Sequence, residues 1–494
     1  MRARVKLDAI LATTIILTAI AVRFYHLDLK MRFIWDEGRD MLAIHNIVAN
    51  KDLTLFGPYN EIGGKKDFFG VFHYYLMAPA LWLANYDPIG PAVLTAGLGV
   101  LSVGLLYWLI RKNYSKQVAL GTTALYAVSP LVVHYVQWPW NPNTTPFFAL
   151  LFFCALERLK TKKSVLWSGT AGLLLGLAFQ LHYFTIALGF AWLLTILRLP
   201  GLSKLKQKVI HGAGFVVGFV LPNLSFVLFD FTHEHFYWNI VRETLAGGGQ
   251  QQYLTPTISS LVFGPVLYLQ TVIEGLFAIQ SFPAVLLAIL FLVWVTSKII
   301  ARKPDLAGWL SVSWLGMLVL AGLFPQTVND YHSNYLWFGI LLFTVLLIEK
   351  IVRSVDRNAL LYIIVGLCIY LLIQIQLFRQ PNWSENMPLV RDLSNSIVAE
   401  EQQTNADHKK TIEVAALTDA DTRAVRYRYF LVAGGVYPLA IDKYPEADVL
   451  YVISPHSESE SKKNPAWELQ SFVELPWEEI ADIQGTRVFR VEKP

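Results

Sequence analysis

Between Phe24 and Gly70 seven carboxylates (Asp28, Asp36, Glu37, Asp40, Asp52, Glu61 and Asp67) stand among cations that include Arg39, Lys65 and Lys66. Carboxylates accept protons or hold cations, and lysines and arginines hold anions, so these are either the groups of a reaction centre or an ordinary solvated loop. The spacing adds to the first reading. In Trp35-Asp36-Glu37-Gly38-Arg39-Asp40-Met41-Leu42-Ala43-Ile44-His45-Asn46-Ile47-Val48, the apolar Met41, Ile44 and Val48 share one helical stripe, and Asp36 and Asp40, four apart, share another face. An amphipathic helix at a membrane surface has this pattern. Asp36 falls at its N-terminal end, where the helix amides favour an ionised carboxylate; a plain helix cap is the alternative.

The elements that must hold this segment are membrane helices. The chain has 494 residues, 54 % hydrophobic and only 16 % charged, whereas roughly a quarter of a soluble protein is charged. Apolar stretches approach or exceed the roughly 20 residues that span a bilayer, which sets soluble enzyme classes aside. About eleven such segments are expected, near 9–22, 72–86 or 91–110 (one long or broken span), 117–136, 146–156, 165–181, 184–197, 211–229, 282–297, 307–323, 335–348 and 359–378. The first follows Arg2, Arg4 and Lys6 without a small-residue cleavage site and reads as an uncleaved helix with a cytoplasmic N-terminus. Alternation then puts five basic loops on the cytoplasmic side: Arg111 to Lys116, Arg158 to Lys163, Arg198 to Lys208, Lys298 to Lys303 and Lys350 to Arg357. To keep this register, Ile258 to Gln280 must be re-entrant, surface-lying or a helix pair.

Residues 380–494 carry 12 Lys+Arg and 19 Asp+Glu, net −7, which leaves 29 and 18, net +11, for residues 1–379. The basic part is the membrane part, its charge is accounted for by orientation, and no nucleic-acid partner is expected. Cys154 and Cys368 lie in apolar segments and form no disulfide or metal pattern. The tail alternates helical and strand-like runs: Met387 to Glu401 helix, Thr411 to Leu417 strand, Thr422 to Val432 helix, Ala447 to Ser454 strand and Thr486 to Val491 strand. The expected architecture is an all-α polytopic membrane protein of about 11 transmembrane helices over residues 1–379, with its first outer loop at 24–70, and a small extracytoplasmic α/β domain over 380–494.

An acidic pair just after the first membrane helix, here Asp36-Glu37, resembles the hallmark of the polyprenyl-phosphate-sugar-dependent glycosyltransferases of the GT-C fold. The similarity is nearest to family 39, the protein O-mannosyltransferase and lipid A aminoarabinose transferase group. It extends through Lys65-Lys66-Asp67-Phe68-Phe69-Gly70-Val71-Phe72-His73-Tyr74-Tyr75-Leu76, Ser129-Pro130, Gln137-Trp138-Pro139-Trp140-Asn141-Pro142-Asn143 and Gln180-Leu181-His182-Tyr183, covering about residues 9–200. The resemblance implies a multi-pass plasma-membrane enzyme that moves a sugar from a polyprenyl phosphate to an acceptor hydroxyl of a protein, glycolipid or glycan, with inversion, on the extracytoplasmic face. It implies a catalytic role for Asp36 as base, with Glu37 beside it. Lys66, Lys65, Arg39, His182 and Arg242 are candidates to hold the donor phosphate, with Lys66 favoured by its place in the loop. Asp40, His73, Tyr183, Asn141, Asn143, Asp330 and His332 are candidates for sugar or acceptor. A divalent cation near Asp36, Glu37 and Asp40 is compatible with this picture, but carboxylate spacing identifies none, so the metal is unassigned.

Each candidate has a plainer reading: snorkelling for Lys66, ion pairing for Arg39, a satisfied structural histidine for His182, aromatic anchoring for Tyr183 and the Trp138 to Asn143 turn, and a polar turn for Gln326 to Tyr335. Two rival functions stand beside the main one. An oligosaccharyltransferase with a pyrophosphate-linked donor predicts an essential metal, and a non-enzymatic lipid or solute transporter predicts indifference to Asp36→Asn.

Overall fold

The computed structural model describes residues 2–62, 65–245, 257–324, 328–352, 359–375, 386–405 and 409–494, without the side chains of 2–8, 60–62, 65–67, 240–241 and 243–245. Residues 247–252, Gln326, Arg353 and Arg357 lie outside the described residues, as do the side chains of Lys65, Lys66 and Glu243.

The chain forms two compact units. One comprises Met1–Tyr25, Thr54–His73 and Val93–Arg379; the other comprises His26–Leu53, Tyr74–Ala92 and Gln380–Pro494. This differs from a simple cut at residue 379, because the expected outer loop 24–70 divides and its acidic helix goes with the C-terminal residues.

The first unit is helical. Among the described residues, Ile89–Asn113, Phe282–Ala301, Leu306–Leu323 and Asp330–Val352 are long and apolar enough to cross a membrane. Leu205–Val220 and Leu224–Thr232, bent by 61°, make a broken span or re-entrant pair, and Ala9–Phe24, Val165–Leu181, Tyr183–Arg198 and Ala359–Gln374 are shorter apolar helices. Two open alternatives resolve and one expected segment is redrawn. The stretch taken as one long or broken span is two helices, Phe72–Leu83 and Ile89–Asn113. The run 117–136 breaks into Lys116–Val128 and Pro130–Tyr135, since proline has no N–H to give and disfavours helical geometry in the residue before it. The buried Arg23 guanidinium takes up carbonyls exposed at this break, Ala127 O at 2.8 Å and Tyr126 O at 3.4 Å. The ambiguous stretch 258–280 is a helix pair, Ile258–Val262 and Gly264–Phe277, with Pro265 in the first turn of the second, where its missing N–H would be unbonded anyway.

In the first unit, strands β1 (Tyr59–Ile62) and β2 (Lys65–Phe68) form an antiparallel hairpin that pairs Glu61 with Lys66. The second unit carries a four-stranded sheet of β3 (Ile412–Ala416), β4 (Val449–Ser454), β5 (Trp477–Ile483) and β6 (Thr486–Glu492), in the order β3-β4-β6-β5. Strands β3 and β4 are parallel and buried at every position, as strands covered on both faces are. At the edge, β5 shows Glu478 and Glu479 to solvent, charges that discourage pairing with another chain. Helix Met387–Thr404 is capped by Asn386, which accepts from Leu389 N at 3.2 Å, and buries Leu389, Val390, Leu393 and Ile397 on one face.

Candidate active site

Helix Trp35–His45 forms as the apolar spacing predicts: Met41 and Ile44 are fully buried. A π-turn at Asn46–Asn50 then replaces regular helix, and Ile47 rather than Val48 is the next buried apolar residue. The helix-end carboxylate is Glu37, not Asp36: its Oε2 accepts the N–H of Ile34, the residue before the helix, at 3.0 Å. Glu37 is 2 % exposed, and burial, followed by the neighbouring Asp36 charge, pushes its carboxyl up to about 8. Glu37 thus faces back into the protein and holds the helix end, the supporting place that its position about 100° from Asp36 on the helix allows.

Gly38 lies against helix Val425–Ala433, where a Cβ would overlap the Arg426 backbone. This close approach lets Arg426 reach the entry to the acidic helix, donating to Phe33 O at 3.4 Å while it pairs with Asp419.

Arg39 organises the other carboxylates. Its Nη1 meets Asp36 Oδ1 at 3.0 Å, its Nη2 and Nε meet Asp40 Oδ1 at 2.7 and 2.8 Å, and its guanidinium lies 4.9 Å from the Trp35 ring centroid. Asp40, fully buried, also accepts from Tyr74 Oη at 3.1 Å. Burial works against the Arg39 charge, but Asp40 and Asp36 more than offset it and keep the guanidinium protonated. Burial raises both Asp36 and Asp40 above the usual carboxylate range, with Arg39 pulling each back toward the ionised form. Asp36 is the exposed member, with a quarter of its side chain open against none for Asp40. Arg39, a phosphate candidate from sequence, is thus committed to two carboxylates. Among the described residues no three His, Cys, Asp or Glu side chains converge to hold a metal ion.

A second group lies in the first unit. His182, the residue closing helix Val165–Leu181, is 6 % exposed, meets the His332 ring edge-on at 4.7 Å and lies 5.5 Å from Phe69. Burial, then the neighbouring His332, holds His182 well below its usual range, so the ring is neutral at pH 7 and offers a hydrogen bond rather than a charge. His332 Nδ1 accepts from Asn329 N at 2.9 Å, and Tyr331 stacks on it at 4.2 Å. Asp330 accepts from Tyr135 Oη at 2.8 Å and from Tyr331 N at 2.7 Å. Tyr183, whose plainer reading was an interface anchor, stacks on Phe69 at 5.0 Å and donates to Phe68 O.

The outer turn is braced from within. Asn141 Nδ2 donates to Leu181 O at 2.6 Å and Asn143 Nδ2 to Trp138 O at 3.0 Å, both side chains being buried. Gly70 packs on Gln180, where a Cβ would overlap its side chain, and Gln180 Oε1 accepts from Phe72 N at 2.9 Å. His73 is fully buried in the first turn of helix Phe72–Leu83, and Arg242 is exposed on helix Phe236–Leu245. The structure therefore gathers Asp36, Arg39 and Asp40 in one unit and His182, His332, Tyr183 and Asp330 in the other. Sequence reasoning gave no role to Tyr74, Trp35 or Phe69; their only signal was membership of the quoted motifs.

Residues 72–226 match the family model described as dolichyl-phosphate-mannose-protein mannosyltransferase. No curated protein matches the sequence. Among solved structures, ArnT from Cupriavidus metallidurans in the apo state aligns over 99 % of this chain and 98 % of that one, with 14 % identity and a TM-score of 0.57. The same protein bound to undecaprenyl phosphate aligns over 97 % of both chains, with 14 % identity and a TM-score of 0.54. The Archaeoglobus fulgidus oligosaccharyltransferase aligns over 92 % of this chain and 69 % of that one, with 14 % identity and a TM-score of 0.55. The solved structures show that this chain shares the fold of ArnT and of the oligosaccharyltransferase, and the family model covers the segment that follows the acidic helix.

Proposed function

We propose that the protein transfers a sugar from a polyprenyl-phosphate donor to an acceptor hydroxyl at the extracytoplasmic face of the plasma membrane, with Asp36 as general base and the N-terminus in the cytoplasm. One observation carries the reading: of the three carboxylates on helix Trp35–His45, Asp36 alone keeps open surface while being held by a buried arginine. A base must reach the proton it takes, and a carboxyl raised toward neutral pH by burial takes it more readily. In the reaction the acceptor oxygen attacks the anomeric carbon from the side opposite the phosphate, Asp36 receives the hydroxyl proton, and the anomeric C–O bond breaks to release polyprenyl phosphate. The leaving phosphate needs no second carboxylic acid, unlike the alkoxide leaving group of glycoside hydrolysis.

Arg39 and Asp40 act as positioning residues that fix the Asp36 rotamer. The phosphate charge falls to Lys66 and Lys65, with Arg242 as a further cation and His182 as a neutral donor. Preorganised donors of this kind contribute about 3–4 kcal/mol each where water is scarce. The sugar and acceptor contacts fall to Tyr183, Asp330 and His332, with the buried side chains of His73, Asn141 and Asn143 in supporting roles. The likeness to ArnT bound to undecaprenyl phosphate supports a polyprenyl-phosphate carrier. Purified protein incubated with a panel of polyprenyl-phosphate sugars, with and without chelator, is expected to release lipid phosphate from at least one donor. Release from pyrophosphate-linked donors alone, abolished by chelator, overturns this reading in favour of an oligosaccharyltransferase.

A further inference from the structure

The second unit carries an open cleft of about 530 Å³, bounded by Asp421, Arg423, Asp442, Trp467 and Glu468, none of them among the carboxylates used above. Trp467 leaves 42 % of its surface exposed and stands edge-on to Tyr444 at 5.1 Å. Tyr444 is buried, donates to Val414 O at 2.8 Å and accepts from Arg428 at 3.0 Å, so the exposed indole rests on a fixed network. Glu468 is 2 % exposed, yet its Oε2 has no hydrogen-bond partner among the described residues. A buried carboxylate oxygen left unmatched is destabilising, and a ligand hydroxyl would supply the missing hydrogen bond. Arg423 makes a two-pronged pair with Asp421, at 2.7 and 2.6 Å, and Asp442 is exposed on the rim.

Three carboxylates and one guanidinium that is already paired repel phosphate, so the cleft does not suit the donor's headgroup. The negative face of an exposed indole suits a surface of polarised C–H groups, and the surrounding carboxylates suit several hydroxyl donors at once. We propose that the cleft docks a neutral pyranose of a glycan acceptor, with the ring face on Trp467 and hydroxyls donating to Glu468 and Asp442. The acceptor role rests on the glycosyltransferase reading; sugar binding by the cleft does not. A physical link joins the two places. Burial pushes Asp421 up, and hydrogen bonds from Arg423 and from Trp35, the residue before Asp36, outweigh it.

The test is saturation-transfer NMR on the full-length protein in nanodiscs with maltotriose, cellotriose and mannotriose, and with trilysine as the competing class. At least one trisaccharide is expected to give transfer to its ring C–H protons, to lose about fivefold or more in Trp467→Ala, and to persist in Trp467→Phe, which keeps an aromatic face and controls for folding. Glu468→Gln is expected to weaken the same signal, and Asp36→Asn to leave it unchanged. No transfer from any trisaccharide, an undiminished signal in Trp467→Ala, or transfer from trilysine alone overturns the proposal. Binding needs no turnover, so a wild-type protein that binds sugar here yet never releases lipid phosphate supports the cleft and defeats the glycosyltransferase reading alone.

Discussion

Asp36 and Asp40 are one helical turn apart and share one guanidinium, and exposure alone separates their roles. Because burial raises Asp36 while Arg39 favours its ionised form, the acid limb of kcat/KM is expected above the ordinary carboxylate midpoint of about 4. Arg39→Gln should move that midpoint higher still, since the favouring cation is gone; an unchanged or lower midpoint in the pH profile speaks against Asp36 as the base. Glu37 gives a separate stability prediction. Its folded-state value, about 8, lies above its unfolded value, so the stabilisation is fully present below about 4.5, declines as pH rises, and is lost through about 8. Wild-type Tm in detergent should therefore fall between pH 6 and 9 more steeply than that of Glu37→Gln, which keeps a neutral acceptor for the Ile34 N–H. Tyr74→Phe removes one hydrogen bond to buried Asp40 and should cost about 1–3 kcal/mol of stability, read as a lower Tm with a smaller change in acceptor KM than in kcat.

Two glycines place the site elements. Gly38→Ala drives a methyl into the Arg426 backbone, and Gly70→Ala drives one into Gln180. Neither neighbour can step aside cheaply, so each is expected to lower Tm by several degrees and reduce expression, whereas Gly435→Asn, at a positive φ with open space around it, should be tolerated. Local period made much of this scale legible. Met41 and Ile44 mark the acidic helix, and the tail's runs mark its two longer helices and three of its four strands. Strand β5 escaped because Glu478, Glu479 and Asp482 interrupt the apolar alternation, and its hairpin turn depends on positive φ at Gln484 and Gly485. The break at Pro130 was misread because the apolar pattern runs on across it. That Glu37, not Asp36, closes the helix end depends on a side chain turning back to Ile34, which spacing cannot distinguish.

For the whole molecule, the two compact units do not follow the linear order of membrane part and tail. The acidic helix looks like part of a membrane loop in sequence, yet Gly38, Phe33 and Trp35 find their partners in residues 419–433, nearly 400 positions away, and nothing local encodes such contacts. The topology drawn from basic loops makes its own prediction. In a background lacking Cys154 and Cys368, cysteines at exposed Leu53 and Tyr437 should react with an impermeant thiol reagent added outside intact cells, and cysteines at Lys162 and Arg302 only after permeabilisation. The reverse pattern would move the acidic helix to the cytosol and remove it from the proposed chemistry.

The most direct measurement is single-turnover release of polyprenyl phosphate by purified wild-type protein and by Asp36→Asn, with binding of the donor followed in the same samples. A rate lower by about a hundred- to ten-thousandfold in the variant, with donor binding kept within about twofold, is the predicted result. Equal release rates at equal binding would contradict the assignment of Asp36 as the base.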